Sequence, residues 1–164
     1  MTIDRLANAD NTEVALLAPR VSLGSSMLYH GASKLSRPGI EQTSGFFEQI
    51  GIRPGKPWAI ATAVTELLAG VLTLLGIGTR LAAVSVLITQ SVAVNKVHRP
   101  KGFDVMKGGY EFNLALMAAA VALLLAGPGR PSAAVALRDR LGKRGVLGLF
   151  RRRSPGSRLL ALVQ

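Results

Sequence analysis

The segment WAIATAVTELLAGVLTLLG, residues 58–76, decides the fold class, because it is a long apolar stretch with a single charged residue, Glu66. A helix rising about 1.5 Å per residue needs about 20 such residues to cross the hydrocarbon of a bilayer. Glu66 stands eight residues after Trp58 and ten before Gly76, too deep for its short side chain to reach either interface. We therefore expect Glu66 to face the interior of a helix bundle, as a functional group or as a structural tie between helices.

Similar apolar segments occur elsewhere in this chain of 164 residues, which is 49% hydrophobic and has a positive mean hydropathy of +0.34. A soluble four-helix bundle would need a polar stripe on each helix, and stretches such as AVSVLITQSVAV (83–94) have almost none. The sequence predicts an all-α fold, a four-helix transmembrane bundle. Its expected spans lie near residues 14–33, 58–76, 80–97 and 110–127.

The net charge of +11 is concentrated at the C-terminal end, where Asp139 is the single acid after Arg130. Positive charge next to a span stays in the cytoplasm, so the C-terminus is expected there, and with four spans the N-terminus is expected there too. The first span is expected to remain in the protein and not to be cleaved as a signal peptide. The tail either lies on anionic lipid or is disordered, and it lacks the aromatic interleaving of nucleic-acid binders. The predicted domains are a cytoplasmic N-terminal segment (1–13), a membrane domain (14–130) and a basic cytoplasmic tail (131–164).

Arg20 lies at the start of the first predicted span, LLAPRVSLGSSMLYHGASKL (16–35). If the preceding Pro19 occupies the first helical turn, Arg20 is near the interface and can reach lipid headgroups. If the helix begins earlier, the guanidinium can instead extend toward Glu66 and form a buried ion pair. The sequence leaves both interpretations open.

A second group of polar residues is predicted at the outer end of the bundle. His30 and Lys34 are spaced i, i+4 and share a helix face, and Asn95, His98 and Glu111 lie at the same level on later spans. Each also has an ordinary explanation, such as an interfacial cation or an acid at a helix N-terminus. The candidate ligand-binding or buried polar residues are Arg20, His30, Lys34, Glu66, Asn95 and Glu111, and the candidate structural glycines are Gly31, Gly70 and Gly76.

Several of these residues recur in one ordered pattern. An arginine in the first span is followed by HGASKL (30–35), GFFEQIG (45–51), ELLAGVLTLLGIGTRLAA (66–83) and GGYEFNLAL (108–116). Together they resemble the DoxX family of small bacterial and archaeal membrane proteins. The resemblance implies a multi-pass protein of the cytoplasmic membrane, linked in several relatives with quinone reduction or with thiol and oxidative stress. It implies the fold more firmly than any one activity.

The absence of cysteine removes disulfide and Cys-ligated metal chemistry, so a redox role would require a bound cofactor or partner. The leading hypothesis is a membrane subunit of a redox-linked complex that binds a quinone non-covalently within the bundle. No catalytic residue or metal ligand is assigned, and enzymatic activity is left open. The alternative is a non-catalytic scaffold that anchors a soluble redox enzyme through its basic tail. Self-association is compatible with both, and a channel is disfavoured because four short helices leave little room for a pore.

Overall fold

The computed structural model describes residues 11–143, and the side chains of residues 11–140. Within that range the chain is helical and has no strand, which confirms the predicted all-α class. The helices are α1 (Leu17–Leu35), α2 (Arg37–Gln49), α3 (Gly55–Leu75), α4 (Thr79–Ala93), α5 (Glu111–Ala126) and α6 (Ala133–Lys143). A π-helical turn (Val94–His98) and a short 3-10 turn (Arg99–Lys101) continue α4. Most of the predicted segments 1–13 and 131–164 lies outside the described residues.

Two helical stretches in the described part of the chain are long and apolar enough to cross a membrane, Gly55–Leu75 and Thr79–Lys101. Only 33% and 22% of their apolar windows are buried, whereas the core helix of a soluble protein would be mostly buried. Their exposed faces carry large apolar side chains such as Leu68, Leu81 and Ile88. Helix α5 is apolar but shorter, at 16 residues, and α1 is less apolar because it contains cations. The four-span arrangement therefore stays a prediction.

Helix α2 occupies the stretch between the first two predicted spans, which end near residue 33 and begin near residue 58, respectively. Ser36 caps its N-terminus, where the side-chain oxygen accepts a hydrogen bond from the backbone N of Gly39 at 3.1 Å. Pro38 lies in the first turn, where its missing N–H has no intrahelical partner to lose. The helix packs on α3 and none of its residues is fully buried, so it lies beside the bundle.

The antiparallel helices α1 and α3 are in backbone contact. A Cβ placed at Gly31 would lie 2.8 Å from the carbonyl oxygen of Ala63, and one at Gly70 would lie 2.5 Å from the backbone N of Leu28. Such separations leave no room for a side chain, and small residues at helix interfaces commonly allow this approach in membranes. The glycine contacts therefore hold the two helices in one register.

The apolar core lies where α1 and α3 meet α4 and α5. It is rich in small residues, which keeps the helix axes close. Its buried members are Leu23, Met27, Ala69, Ala82, Ala83, Val86, Leu116, Ala120 and Leu123. The core is thus one contiguous cluster within the described residues.

Candidate ligand-binding cleft

A buried ion pair joins the last turn of α1 to the middle of α3. Lys34 Nζ lies 2.5 Å from Glu66 Oε2, and the two side chains are 25% and 7% exposed. The lysine therefore neutralises the carboxylate that the sequence places deep in the bundle. A buried carboxylate without such a partner would be strongly unfavourable.

The Lys34–Glu66 pair lies in the wall of a cleft of about 670 Å³ between α2, α3 and α4. Most of the lining is apolar or aromatic, which suits a flat hydrophobic molecule. The larger lining side chains are Phe46, Phe47, Ile52, Trp58, Ile88 and Val92. The cleft thus combines a hydrophobic surface with one charged pair.

Two basic residues, Lys96 and His98, line the cleft from the π-helical turn that extends α4. Turns of this kind are rare and frequently occur at functional sites. The Nδ1 atom of His98 lies 2.7 Å from the carbonyl oxygen of Gly108, which fixes the ring. The sequence places His98 in the predicted outer polar group but not among the candidate site residues.

Arg20 is buried at the opposite end of α3, only 4% exposed. Its guanidinium donates hydrogen bonds to backbone carbonyl oxygens at 3.1, 2.7, 3.1 and 2.6 Å, those of Thr73, Leu74, Pro128 and Pro131. The first two belong to the last turn of α3, where the Thr73 oxygen also accepts from the backbone N of Gly76 at 3.1 Å and the dipole of the helix favours a cation. Arg20 therefore neither extends to headgroups nor pairs with Glu66, and instead ties the end of α3 to the segment after α5.

Gly76 is part of this arrangement around Arg20. It ends α3 in the left-handed conformation, with φ of 68°, which glycine adopts without steric cost. A Cβ at this position would lie 2.9 Å from Arg20 Nη2 and 2.6 Å from Ser132 Cβ. Gly76 thus leaves space for the guanidinium.

The remaining predicted site residues are dispersed. His30 lies one turn before Lys34, and its ring packs against Phe112 with 6.4 Å between centroids. Asn95 is exposed, and its Nδ2 donates to the carbonyl of its own helix at Ser91. Glu111 is also exposed, and its Oε2 accepts a hydrogen bond from the backbone N of Val105, in a second 3-10 turn, Val105–Lys107. The structure therefore brings Lys34 and Glu66 together, with His30 nearby, and gives Asn95 and Glu111 other partners.

A buried amide pair, not expected from the sequence, joins α4 to α5. Asn113 Nδ2 donates to Gln90 Oε1 at 2.7 Å, and both residues are 6% exposed. The sequence contains an indication of this pair, because each amide stands within a mostly apolar stretch, LITQSV (87–92) or EFNLAL (111–116). Polar residues in such runs commonly hydrogen-bond across helices.

Comparison with known proteins identifies the family. The DoxX family model matches residues 15–99, a range that includes α1 to α4, the cleft pair and His98. The chain is 32% identical over 150 residues to an uncharacterized membrane protein of Mycobacterium tuberculosis, Rv3486, covering 85% of this chain and 88% of that one.

A second relative is the Bacillus subtilis protein named "Putative oxidoreductase CatD", 33% identical over 115 residues, covering 70% of this chain and 81% of CatD. No solved structure matches the chain significantly. The family match, the similarity to the mycobacterial membrane protein and the apolar exposed helices lead to one conclusion: the chain belongs to the DoxX family of membrane proteins.

Proposed function

We propose that this protein is the membrane subunit of a redox-linked complex and binds a quinone-like small molecule, non-covalently, in the cleft between α2, α3 and α4. The observation that carries the proposal is the apolar cleft of about 670 Å³ with the Lys34–Glu66 pair in its wall. Ligand sites are typically concave, mostly apolar and contain a few converging polar groups. The printed name of one relative, "Putative oxidoreductase CatD", is consistent with a redox role.

The Lys34–Glu66 pair offers the groups that a quinone ring requires. The ammonium of Lys34 has three N–H donors, so it can hydrogen-bond a quinone oxygen while it contacts Glu66. A cation beside that oxygen stabilises negative charge as the ring is reduced. In the reverse direction, the carboxylate of Glu66 in the same wall can accept a proton from a hydroquinone hydroxyl as the ring is oxidised. The aromatic side chains of Phe47 and Trp58 provide surfaces on which a flat ring can pack.

In this proposal α1, α3, α4 and α5 cross the membrane, with both ends of the chain on the cytoplasmic side. An ion pair supports placing the two ends on the same side, because Arg130 Nε lies 3.1 Å from Glu13 Oε2. These residues precede α1 and follow α5 respectively. Lipid would then contact the exposed apolar faces of α3 and α4.

Fluorescence of the single tryptophan tests the proposal, since Trp58 lines the cleft. The protein is purified in mild detergent and titrated with a short-chain benzoquinone. Saturable quenching is expected in the wild type, with weaker binding in Glu66→Gln and Lys34→Met. Asp104→Asn is the control, because Asp104 belongs to an exposed ion pair and is not among the residues that line the cleft. Quenching that rises linearly and equally in all four proteins would contradict the proposal.

A further inference from the structure

The ring of His98 is held by one backbone carbonyl. A carbonyl oxygen accepts hydrogen bonds and cannot donate them, so the contact with Gly108 requires the proton to be on Nδ1. In the neutral ring, Nε2 then has a free lone pair and is a hydrogen-bond acceptor. No hydrogen bond to Nε2 occurs within the described residues.

The backbone around the Gly108 carbonyl is held in place by the loop that precedes α5. Gly108 ends the 3-10 turn Val105–Lys107 with φ of 77°, a conformation that favours glycine. Its backbone N donates to the carbonyl of Val105 at 2.9 Å, and a Cβ added at Gly108 would lie 3.2 Å from the side chain of Lys101. The loop therefore holds the carbonyl, and through it the tautomer of His98.

The charged groups that line the cleft besides His98 are Lys34, Lys96 and Glu66. Lys34 and Lys96 are donors only, and the carboxylate of Glu66, which accepts from Lys34 through Oε2, belongs to the middle of α3, whereas His98 belongs to the π-helical turn after α4. We propose that His98 is a ligand-binding residue that accepts, through Nε2, a hydrogen bond from a ligand hydroxyl group. The cleft then favours a phenolic molecule, such as the hydroquinone form, over the corresponding quinone. This inference rests on the proposed function and assigns the ligand class within the same cleft.

Two substitutions separate the roles of the ring nitrogens. In His98→Asn the amide nitrogen can replace Nδ1 as donor to Gly108, while the acceptor at Nε2 is lost. In His98→Gln an amide oxygen can stand near the position of Nε2. Binding of three compounds is measured without oxygen by tryptophan quenching: a short-chain hydroquinone, its quinone and its dimethyl ether, which has no hydroxyl donor.

His98→Asn is expected to lower the affinity for hydroquinone by about 3- to 10-fold, the loss typical of one net hydrogen bond. Its affinities for the quinone and the ether should remain unchanged, and His98→Gln should recover part of the hydroquinone affinity. If His98→Asn lowers all three affinities alike, or none of them, the inference is wrong while the proposed function stands. If the wild type binds none of the compounds, the proposed function fails and the inference fails with it.

A second measurement does not depend on a ligand. The chain has two histidines, so ¹⁵N NMR of the labelled protein, compared with His98→Asn, assigns the ring signals of His98. The expected neutral tautomer has its proton on Nδ1, whereas the other tautomer is the usual one for free histidine. A proton on Nε2 in the neutral ring would overturn the inference even if quinones bind.

Discussion

The Lys34–Glu66 ion pair allows a quantitative test of the bundle by a double-mutant cycle. Glu66→Gln leaves the ammonium of Lys34 unpaired, but that side chain is 25% exposed and can turn partly toward a polar environment. Lys34→Met leaves the carboxylate of Glu66, which is 7% exposed, without its partner. We therefore expect the lysine substitution to be the more destabilising of the two.

The magnitudes follow from this difference in exposure. Removing one partner of a buried pair typically lowers the free energy of unfolding by about 3–5 kcal/mol, the value expected for Lys34→Met. Partial exposure of the remaining lysine lowers the expected loss in Glu66→Gln to about 1–3 kcal/mol. The double variant leaves no unpaired charge at either position. The double variant should therefore lose less free energy of unfolding than the two single variants together, by about 1–3 kcal/mol.

Unfolding by SDS in mixed micelles, followed by far-ultraviolet circular dichroism, provides the four free energies. The exposed pair Asp104–Lys107 is the matched control, with 3.8 Å between charged atoms and side chains 48% and 78% exposed. Its coupling energy should be below about 1 kcal/mol. If the losses in free energy of unfolding at Lys34 and Glu66 add to within about 0.5 kcal/mol, the two side chains do not interact and the ion pair is refuted. If Glu66→Gln lowers the free energy of unfolding more than Lys34→Met does, the argument from side-chain exposure is refuted.

Three further predictions concern packing, the buried arginine and the tail. Gly31→Ala places a Cβ 2.8 Å from a carbonyl oxygen of α3 and should cost about 1–3 kcal/mol in the same unfolding assay. Gly45→Ala, with nothing within 4 Å of the added Cβ, should be neutral or slightly stabilising, and equal losses at both glycines would contradict the close contact. Arg20→Lys should also cost about 2–4 kcal/mol, because one ammonium cannot hydrogen-bond carbonyls in four directions; unchanged stability would contradict this role. Deletion of residues 144–164 should leave quinone quenching intact, and loss of quenching would favour a tail-dependent function.

The sequence predicted the helical blocks well because long apolar runs determine where helices form. It also predicted that Glu66 faces inward, since the depth of a carboxylate in an apolar run follows from residue counting alone. Family membership was readable from the order of several short motifs and is confirmed by the family match. The pairing of the charged residues could not be predicted in this way, because it depends on the axial register of α1 against α3.

The cleft itself was not predictable, because one of its walls is α2. The signals for this helix were present in the Ser36 cap and in Pro38, but the helix is amphipathic and short, at 13 residues. Counting apolar residues assigned the stretch to a loop. A cavity between three helices depends on their placement in space, and the acceptor role of His98 becomes apparent only when the loop carbonyl beside it is known.

The glycine contacts explain why Glu66 pairs with Lys34 and not with Arg20. Gly24 lies against Gly70 and Leu74, and Gly31 lies against Ala63 and Leu67, so the residue numbers in these contacts sum to 94 or 98. By this register, residue 20 lies beside positions 74 to 78 and residue 34 lies beside positions 60 to 64.

Side chains on a helix lean toward its N-terminus, and the N-termini of α1 and α3 are at opposite ends of the antiparallel pair. Lys34 therefore leans along α3 toward Glu66, while Glu66 leans back toward Lys34, and the two charges converge. Arg20 leans the other way, past position 74 and beyond the end of α3, where it meets the carbonyl oxygens of the segment after α5. Counting residues along each helix was thus insufficient to predict which cation pairs with Glu66. That prediction also requires the register set by the glycine contacts and the direction of the Cα–Cβ bonds.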